Sequence, residues 1–66
     1  MQIVVNGQPQ DAPEGATLLA LIERLKLGGR RIAVERNGEI VPRSAHAATA
    51  LVSGDRVEII HAVGGG

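Results

Sequence analysis

The chain begins with two short β-prone runs on either side of an Asn-Gly pair. Residues 2–5 are mostly β-branched, and residues 8–12 follow Asn6-Gly7. Asn-Gly favours a type I′ turn because both residues tolerate positive φ, so the two runs are predicted to form a hairpin. Pro9 has no N–H to donate to a neighbouring strand, so the second strand is expected at an edge of the sheet, or Pro9 at the start of that strand.

A helix is predicted after Thr17, which stands where an N-cap residue is favoured. Apolar residues then recur at helical spacing, and the predicted buried face consists of Leu18, Leu21, Ile22 and Leu25. The helix is predicted to end at residues 27–29, with Gly28 in the left-handed C′ position.

Three more strands are predicted in the second half of the chain. Residues 32–35 form the third strand, Asn37-Gly38 turns it, and Glu39–Val41 returns from the turn. A segment of small residues with room for one helical turn comes next, and residues 56–63 form the last strand. One amphipathic helix covers one face of one sheet, so the other face is left to water or to a partner.

Size and composition argue against a conventional enzyme and against nucleic-acid binding. The 66 residues are expected to form one domain, residues 1–66, with no aromatic residue and no cysteine. Such a small aliphatic core leaves little depth for a pocket of about 300 Å³ or more. Seven basic residues balance seven acidic ones, which is not the basic field that phosphate binding requires. His46 and His61 have no clustered metal-ligand partners, so neither a metal site nor a catalytic role is predicted for them.

Neither a signal peptide nor a membrane-spanning segment is predicted. No apolar run approaches the roughly 18 residues that a membrane-spanning helix needs, and no charged region precedes an apolar stretch at the N-terminus. We therefore expect no membrane association and a cytoplasmic location.

The three glycines at the end of the chain are the strongest functional signal. Gly64, Gly65 and Gly66 follow an apolar strand without a polar spacer. Residues without a Cβ pass through a narrow channel and bend freely, and here they present the α-carboxylate of Gly66. That group is ionised at neutral pH and needs activation, for which ATP-dependent adenylation by a partner enzyme is the expected route. The alternative is an inert, disordered terminus.

Alternation along the last strand predicts a docking surface beside this tail. Val57 and Ile59 share the core-facing side, whereas Glu58 marks the opposite side as the one that contacts water. Exposed apolar residues next to a functional terminus indicate a partner site, although single exposed aliphatic residues also occur without a role. The predicted partner-binding residues lie on the outer face or beside the tail: Val4, Ile60, Ala62 and Val63.

Three segments resemble the bacterial sulfur carrier proteins of thiamine biosynthesis, the ThiS family. They are residues 1–7 (MQIVVNG), residues 37–43 (NGEIVPR) and residues 54–66 (GDRVEIIHAVGGG). The resemblance covers the whole chain. It implies an α+β, β-grasp (ubiquitin-like) fold with a mixed sheet of four to five strands, one main helix on one face and a flexible glycine tail at residues 64–66.

The resemblance also implies a mechanism in which the chain is a carrier and not an enzyme. A ThiF-like adenylating enzyme would use ATP to adenylate Gly66, and a persulfide sulfur donor would displace AMP to leave a thiocarboxylate. A ThiG-like thiazole synthase would then accept the sulfur for the thiazole ring of thiamine. No cofactor would be bound permanently to the carrier.

Three alternatives stay open at this point. A sulfur carrier for molybdopterin has the same fold and tail chemistry, although such chains are usually longer. A ubiquitin-like modifier would use the same activated tail to form isopeptide bonds with other proteins. A plain β-grasp interaction domain would carry an inert tail.

Overall fold

The computed structural model describes residues 1–61, and the predictions for Ala62, Val63 and the three terminal glycines lie outside these residues. Within this range no helix has the length and apolar character needed to span a bilayer. The elements are β1 (Gln2–Val5), β2 (Gln8–Asp11), α1 (Leu18–Arg24), β3 (Ile32–Arg36), β4 (Glu39–Val41), a 3₁₀ helix (Arg43–Ala48) and β5 (Arg56–His61).

Both Asn-Gly hairpins form as predicted. Asn6 and Gly7 have φ values of 50° and 79°, and the Asn37-Gly38 pair has 52° and 86°. Positive φ at both central positions is what a type I′ turn requires, and Asn and Gly adopt it at low cost. β2 pairs with β1 at one edge of the sheet, where Pro9 stands opposite Val4, so the edge position is confirmed.

The five strands form one mixed sheet in the order β2-β1-β5-β3-β4. β5 lies at the centre, parallel to β1 and antiparallel to β3. Antiparallel hairpins connect β1 to β2 and β3 to β4, and the chain between the hairpins carries α1 across one face. The predicted α+β class, with one main helix on a mixed sheet, is confirmed.

The core lies between α1 and one face of the sheet. The helix buries Leu18, Leu21 and Ile22, and Leu25 is partly buried beside them. Successive side chains of a strand point to opposite faces, so each strand presents alternate residues to the helix. The sheet residues buried in this cluster are Ile3, Val5, Val34, Val57 and Ile59, which confirms the core-facing side predicted for the last strand.

The helix ends about two residues earlier than the sequence indicated. Lys26, not Gly28, takes the left-handed conformation, with a φ of 61°. The N–H of Leu27 then donates to the carbonyl of Ile22 at 3.0 Å, which is the longer bond of a Schellman motif. Leu27 packs against the core, and this apolar contact ends the helix before the two glycines are reached.

Candidate functional site

β5 holds the chain in the middle of the sheet up to residue 61. Its register with β3 runs from Val57 opposite Arg36 to His61 opposite Ile32. On the other side, the side-chain oxygen of Asn6 accepts a hydrogen bond from the N–H of Ile59 at 2.7 Å, beyond the last residue pair of β1 and β5. β5 is therefore held in the sheet up to His61, which lies five residues before Gly66.

Exposed apolar residues lie on the outer face of the sheet near the end of β5. Ile60 is 52% exposed and stands opposite Ala33 of β3, and Ile40 of β4 is 62% exposed. Ile40 pairs with Glu35, which places it diagonally across from Ala33, within reach of a long side chain. We refer to Ala33, Ile40 and Ile60 as the outer apolar patch.

The structure does not bring Val4 next to Ile60, although both lie on the outer face as predicted. Val4 pairs with Arg56, four residues before Ile60, which corresponds to about 13 Å along a strand. Glu58 stands between them on the same face. Val4 therefore does not belong to the outer apolar patch. The partner-binding role of Ile60 stays a prediction, and Ala62 and Val63 lie outside the described residues.

Two members of the patch were missed at the sequence level. Ala33 and Ile40 become neighbours of Ile60 only because β5 pairs with β3 and β3 pairs with β4. The sequence signal that could have found Ile40 is an isoleucine in a three-residue strand directly after an Asn-Gly turn. Its face, however, depends on a register that the sequence alone does not give.

Asp55 fixes the entry to β5 and was also missed. Its carboxylate is 3% exposed and accepts hydrogen bonds from Nε of Arg36 at 2.9 Å, Nδ2 of Asn37 at 3.0 Å and the N–H of Val52 at 2.9 Å. Burial by itself raises the pKa of Asp55, but these hydrogen bonds and the Arg36 charge bring it below the ordinary value of 3.8. The carboxylate thereby joins the β3–β4 turn to the residue that precedes β5.

His46 lies in the segment of small residues after β4 and is buried there. The sequence predicted neither a metal-binding nor a catalytic role for it. It is 5% exposed, and its Nε2 lies 3.0 Å from the carbonyl oxygen of Val41. The ring thus connects the 3₁₀ helix to the end of β4 and has a structural role. His61 is exposed at the end of β5. Within residues 1–61 no cluster of three or more His, Asp or Glu side chains is arranged to bind a metal ion.

Known proteins are similar to this chain over its whole length. A sequence model of the ThiS family matches residues 3–66. The thiazole synthase of Paramagnetospirillum magneticum is 42% identical over 100% of this chain, which spans 20% of the length of that relative. The uncharacterised protein ycf40 of Porphyra purpurea is 36% identical over 100% of this chain and 93% of its own length.

A solved structure with the same architecture supports the sequence comparison. The crystal structure of the thiamine biosynthesis protein ThiS from Geobacter metallireducens matches with a TM-score of 0.86 and 36% sequence identity. The match covers 100% of both chains.

Proposed function

Because the chain belongs to the ThiS family and has its β-grasp fold, we propose that it carries sulfur for the thiazole moiety of thiamine. The observation that carries this proposal is the family match, which extends through the last glycine to Gly66. The full-length agreement with a ThiS structure also supports it.

The reacting group in this proposal is the α-carboxylate of Gly66. A ThiF-like adenylating enzyme transfers AMP from ATP to the carboxylate and releases pyrophosphate, which converts an unreactive anion into an acyl donor. The terminal sulfur of a protein persulfide attacks the acyl carbon, and AMP leaves. A thiol then attacks the donor-side sulfur of the resulting acyl disulfide, forms a disulfide with the donor protein and releases the thiocarboxylate on Gly66.

The chain contributes recognition and reach, and the partner enzymes contribute the catalysis. β5 holds the backbone in place up to His61. The five residues that follow, 62–66, can span at most about 17 Å when extended. An active site that binds the sheet can therefore receive Gly66 in a recess of about that depth. ATP belongs to the adenylating enzyme in this scheme, and the carrier is its protein substrate.

A ThiG-like thiazole synthase is the proposed acceptor of the sulfur. The relative from Paramagnetospirillum magneticum is named a thiazole synthase, and 20% of its length is similar to this chain. A carrier-like segment within one polypeptide with a thiazole synthase supports a partnership between the two activities. The ThiF-like enzyme and the persulfide donor are proposed because the carboxylate needs activation and a source of sulfur.

Intact-mass spectrometry tests the proposal. The 66-residue chain is incubated with a ThiF-like enzyme, ATP and a protein persulfide and is then treated with a small thiol, and a chain of the same sequence with a C-terminal amide is the matched control. We expect the first chain to gain the mass difference of one oxygen replaced by sulfur, localised to Gly66 by fragmentation, and the amide to stay unchanged. An unchanged mass, with an enzyme that is active on another ThiS protein, would contradict the proposal.

A second step separates thiamine from the other uses of such a tail. The thiocarboxylated chain is offered in turn to a thiazole synthase and to the large subunit of a molybdopterin synthase. Sulfur transfer to the thiazole synthase supports the proposal. Transfer to the molybdopterin enzyme alone, or isopeptide linkage of the chain to lysines of other proteins, would overturn the thiamine assignment.

A further inference from the structure

Three arginines lie on the side of the sheet near the end of β5, where the described chain leaves the sheet. Arg30 and Arg31 directly precede β3, whose first residue, Ile32, stands opposite His61. Arg43 follows β4, and its Nη2 donates a 2.9 Å hydrogen bond to the carbonyl oxygen of Arg30. All three side chains are exposed. We refer to Arg30, Arg31 and Arg43 as the basic corner.

No carboxylate in the described part of the chain forms an ion pair with the basic corner. The ion pairs within residues 1–61 join the N-terminal amine to Asp11 and Arg36 to Asp55. The chain has equal numbers of basic and acidic residues, so the local positive charge results from their placement and not from composition. A guanidinium has five N–H donors, so Arg43 retains free donors beyond its bond to Arg30.

A shallow groove of about 410 Å³ joins the basic corner to the outer apolar patch. Arg31 and Arg43 supply its charged rim, and its apolar lining consists of Ile32, Ala33 and Ile60. A planar guanidinium binds a carboxylate in a bidentate way, and an aliphatic floor favours an apolar neighbour. The groove therefore matches a protein segment that carries a carboxylate next to an apolar side chain.

We propose that the basic corner and this groove dock an acidic, partly apolar surface segment of the enzyme that adenylates the tail. The inference rests on the proposed function, because that enzyme must bind the carrier where β5 ends before it can reach Gly66. Opposite charges at this position steer the encounter and orient the tail towards the active site. A free nucleotide is a poorer occupant, since the floor of the groove offers aliphatic side chains to the ribose and phosphates.

Adenylation kinetics with charge-reversal variants test the inference. The double variant Arg31→Glu/Arg43→Glu is compared with the unsubstituted chain and with Arg24→Glu, an exposed arginine at the end of α1. Pyrophosphate release by a ThiF-like enzyme gives KM for the carrier, KM for ATP and kcat. Thermal melting of each variant verifies that it is folded at the assay temperature.

We expect the double variant to raise KM for the carrier by about tenfold or more at low ionic strength, with kcat within about twofold. Arg24→Glu should leave KM for the carrier within about twofold. The effect of the double variant should shrink to about threefold or less near 1 M salt, where the Debye length is about 3 Å.

The assay separates failure of the docking inference from failure of the proposed function. If the unsubstituted chain is not adenylated, both are overturned. If it is adenylated but the double variant has an unchanged KM, or if Arg24→Glu raises KM equally, only the docking inference is overturned. A rise in KM for ATP in place of KM for the carrier would assign the arginines to nucleotide phosphates and would also overturn it.

Discussion

Nε of Arg36 donates a 2.9 Å hydrogen bond to the carboxylate of Asp55 and thereby joins β3 to the residue that precedes β5. The same carboxylate accepts hydrogen bonds from Asn37 and from the N–H of Val52. Asn37 in turn accepts a hydrogen bond from the N–H of Arg56 at 2.9 Å. This network sets the position of the β5 start relative to the β3–β4 hairpin, and with it the path of the strand that leads to the tail.

The first prediction concerns the charge of Asp55. We expect Asp55→Asn to lower the free energy of unfolding by about 2 kcal/mol at neutral pH, because hydrogen bonds to a charged group contribute about 1.5–3 kcal/mol. The folded-state pKa of Asp55 lies below 3.8. Its stabilising effect is therefore complete above the unfolded pKa and is lost as the pH falls through the folded pKa.

Urea denaturation at a series of pH values checks this prediction. The difference in unfolding free energy between the unsubstituted chain and Asp55→Asn should be constant near neutral pH and should shrink as the pH falls below 3.8. Glu14→Gln, at an exposed position, is the matched control. A difference that persists unchanged through acid pH would show that the charge of Asp55 does not stabilise the fold.

Features that depend only on residues close together in the sequence were predictable. The Asn6-Gly7 and Asn37-Gly38 turns require positive φ, which few residue types adopt at low cost. The N-cap at Thr17 depends on a hydroxyl three residues before its donor. The core face of the last strand follows from strict alternation, so Val57 and Ile59 were placed correctly.

Features that depend on strand pairing were not predictable in this way. The distance between Val4 and Ile60 is set by the parallel register of β1 with β5, which joins opposite ends of the chain. The acceptor for His46 is a main-chain carbonyl at Val41, and any residue type supplies one. Asp55 lies beside Arg36 because β3 and β5 are paired. The two residues are far apart in the sequence, so no local pattern predicts their contact.

The second prediction concerns the start of the helix. Oγ1 of Thr17 accepts a hydrogen bond from the N–H of Ala20 at 3.1 Å. Because α1 has only seven residues, a lost cap affects a large part of the helix. We expect Thr17→Ala to lower the free energy of unfolding by about 1 kcal/mol, measured by urea denaturation. Thr17→Ser keeps the hydroxyl and should lose less than half as much, and equal losses in the two variants would exclude the cap as the cause.

The third prediction separates the tail from the fold. Among residues 1–61, the buried core cluster runs from Ile3 to Ile59. We therefore expect a chain without Gly65 and Gly66 to melt at nearly the same temperature as the 66-residue chain, and to form no thiocarboxylate with ATP, persulfide donor and adenylating enzyme. Mass spectrometry and circular dichroism measure the two properties. A truncated chain that still supports thiazole formation would show that Gly66 is not the sulfur-bearing residue.

The fourth prediction tests the outer apolar patch by comparing two aliphatic residues with nearly the same exposed fraction. Ile60 is 52% exposed at the tail end of β5, and Val52 is 54% exposed before the opposite end of the same strand. Replacement by glutamine removes apolar surface without adding charge, so the basic corner is not disturbed electrostatically. Each change should alter the free energy of unfolding by less than about 0.5 kcal/mol, since surface substitutions outside special features rarely cost more.

Binding to the adenylating enzyme should distinguish these two variants. Complete burial of an isoleucine side chain contributes about 1.5–3 kcal/mol, so burial of the exposed half at an interface contributes about 1 kcal/mol. We therefore expect Ile60→Gln to raise Kd by about fivefold, and Val52→Gln to leave it unchanged, in titration calorimetry at constant salt. Equal Kd values for both variants would place the interface away from the outer apolar patch. A larger effect of Val52→Gln would place the interface at the opposite end of β5 and would likewise contradict a role for the outer apolar patch.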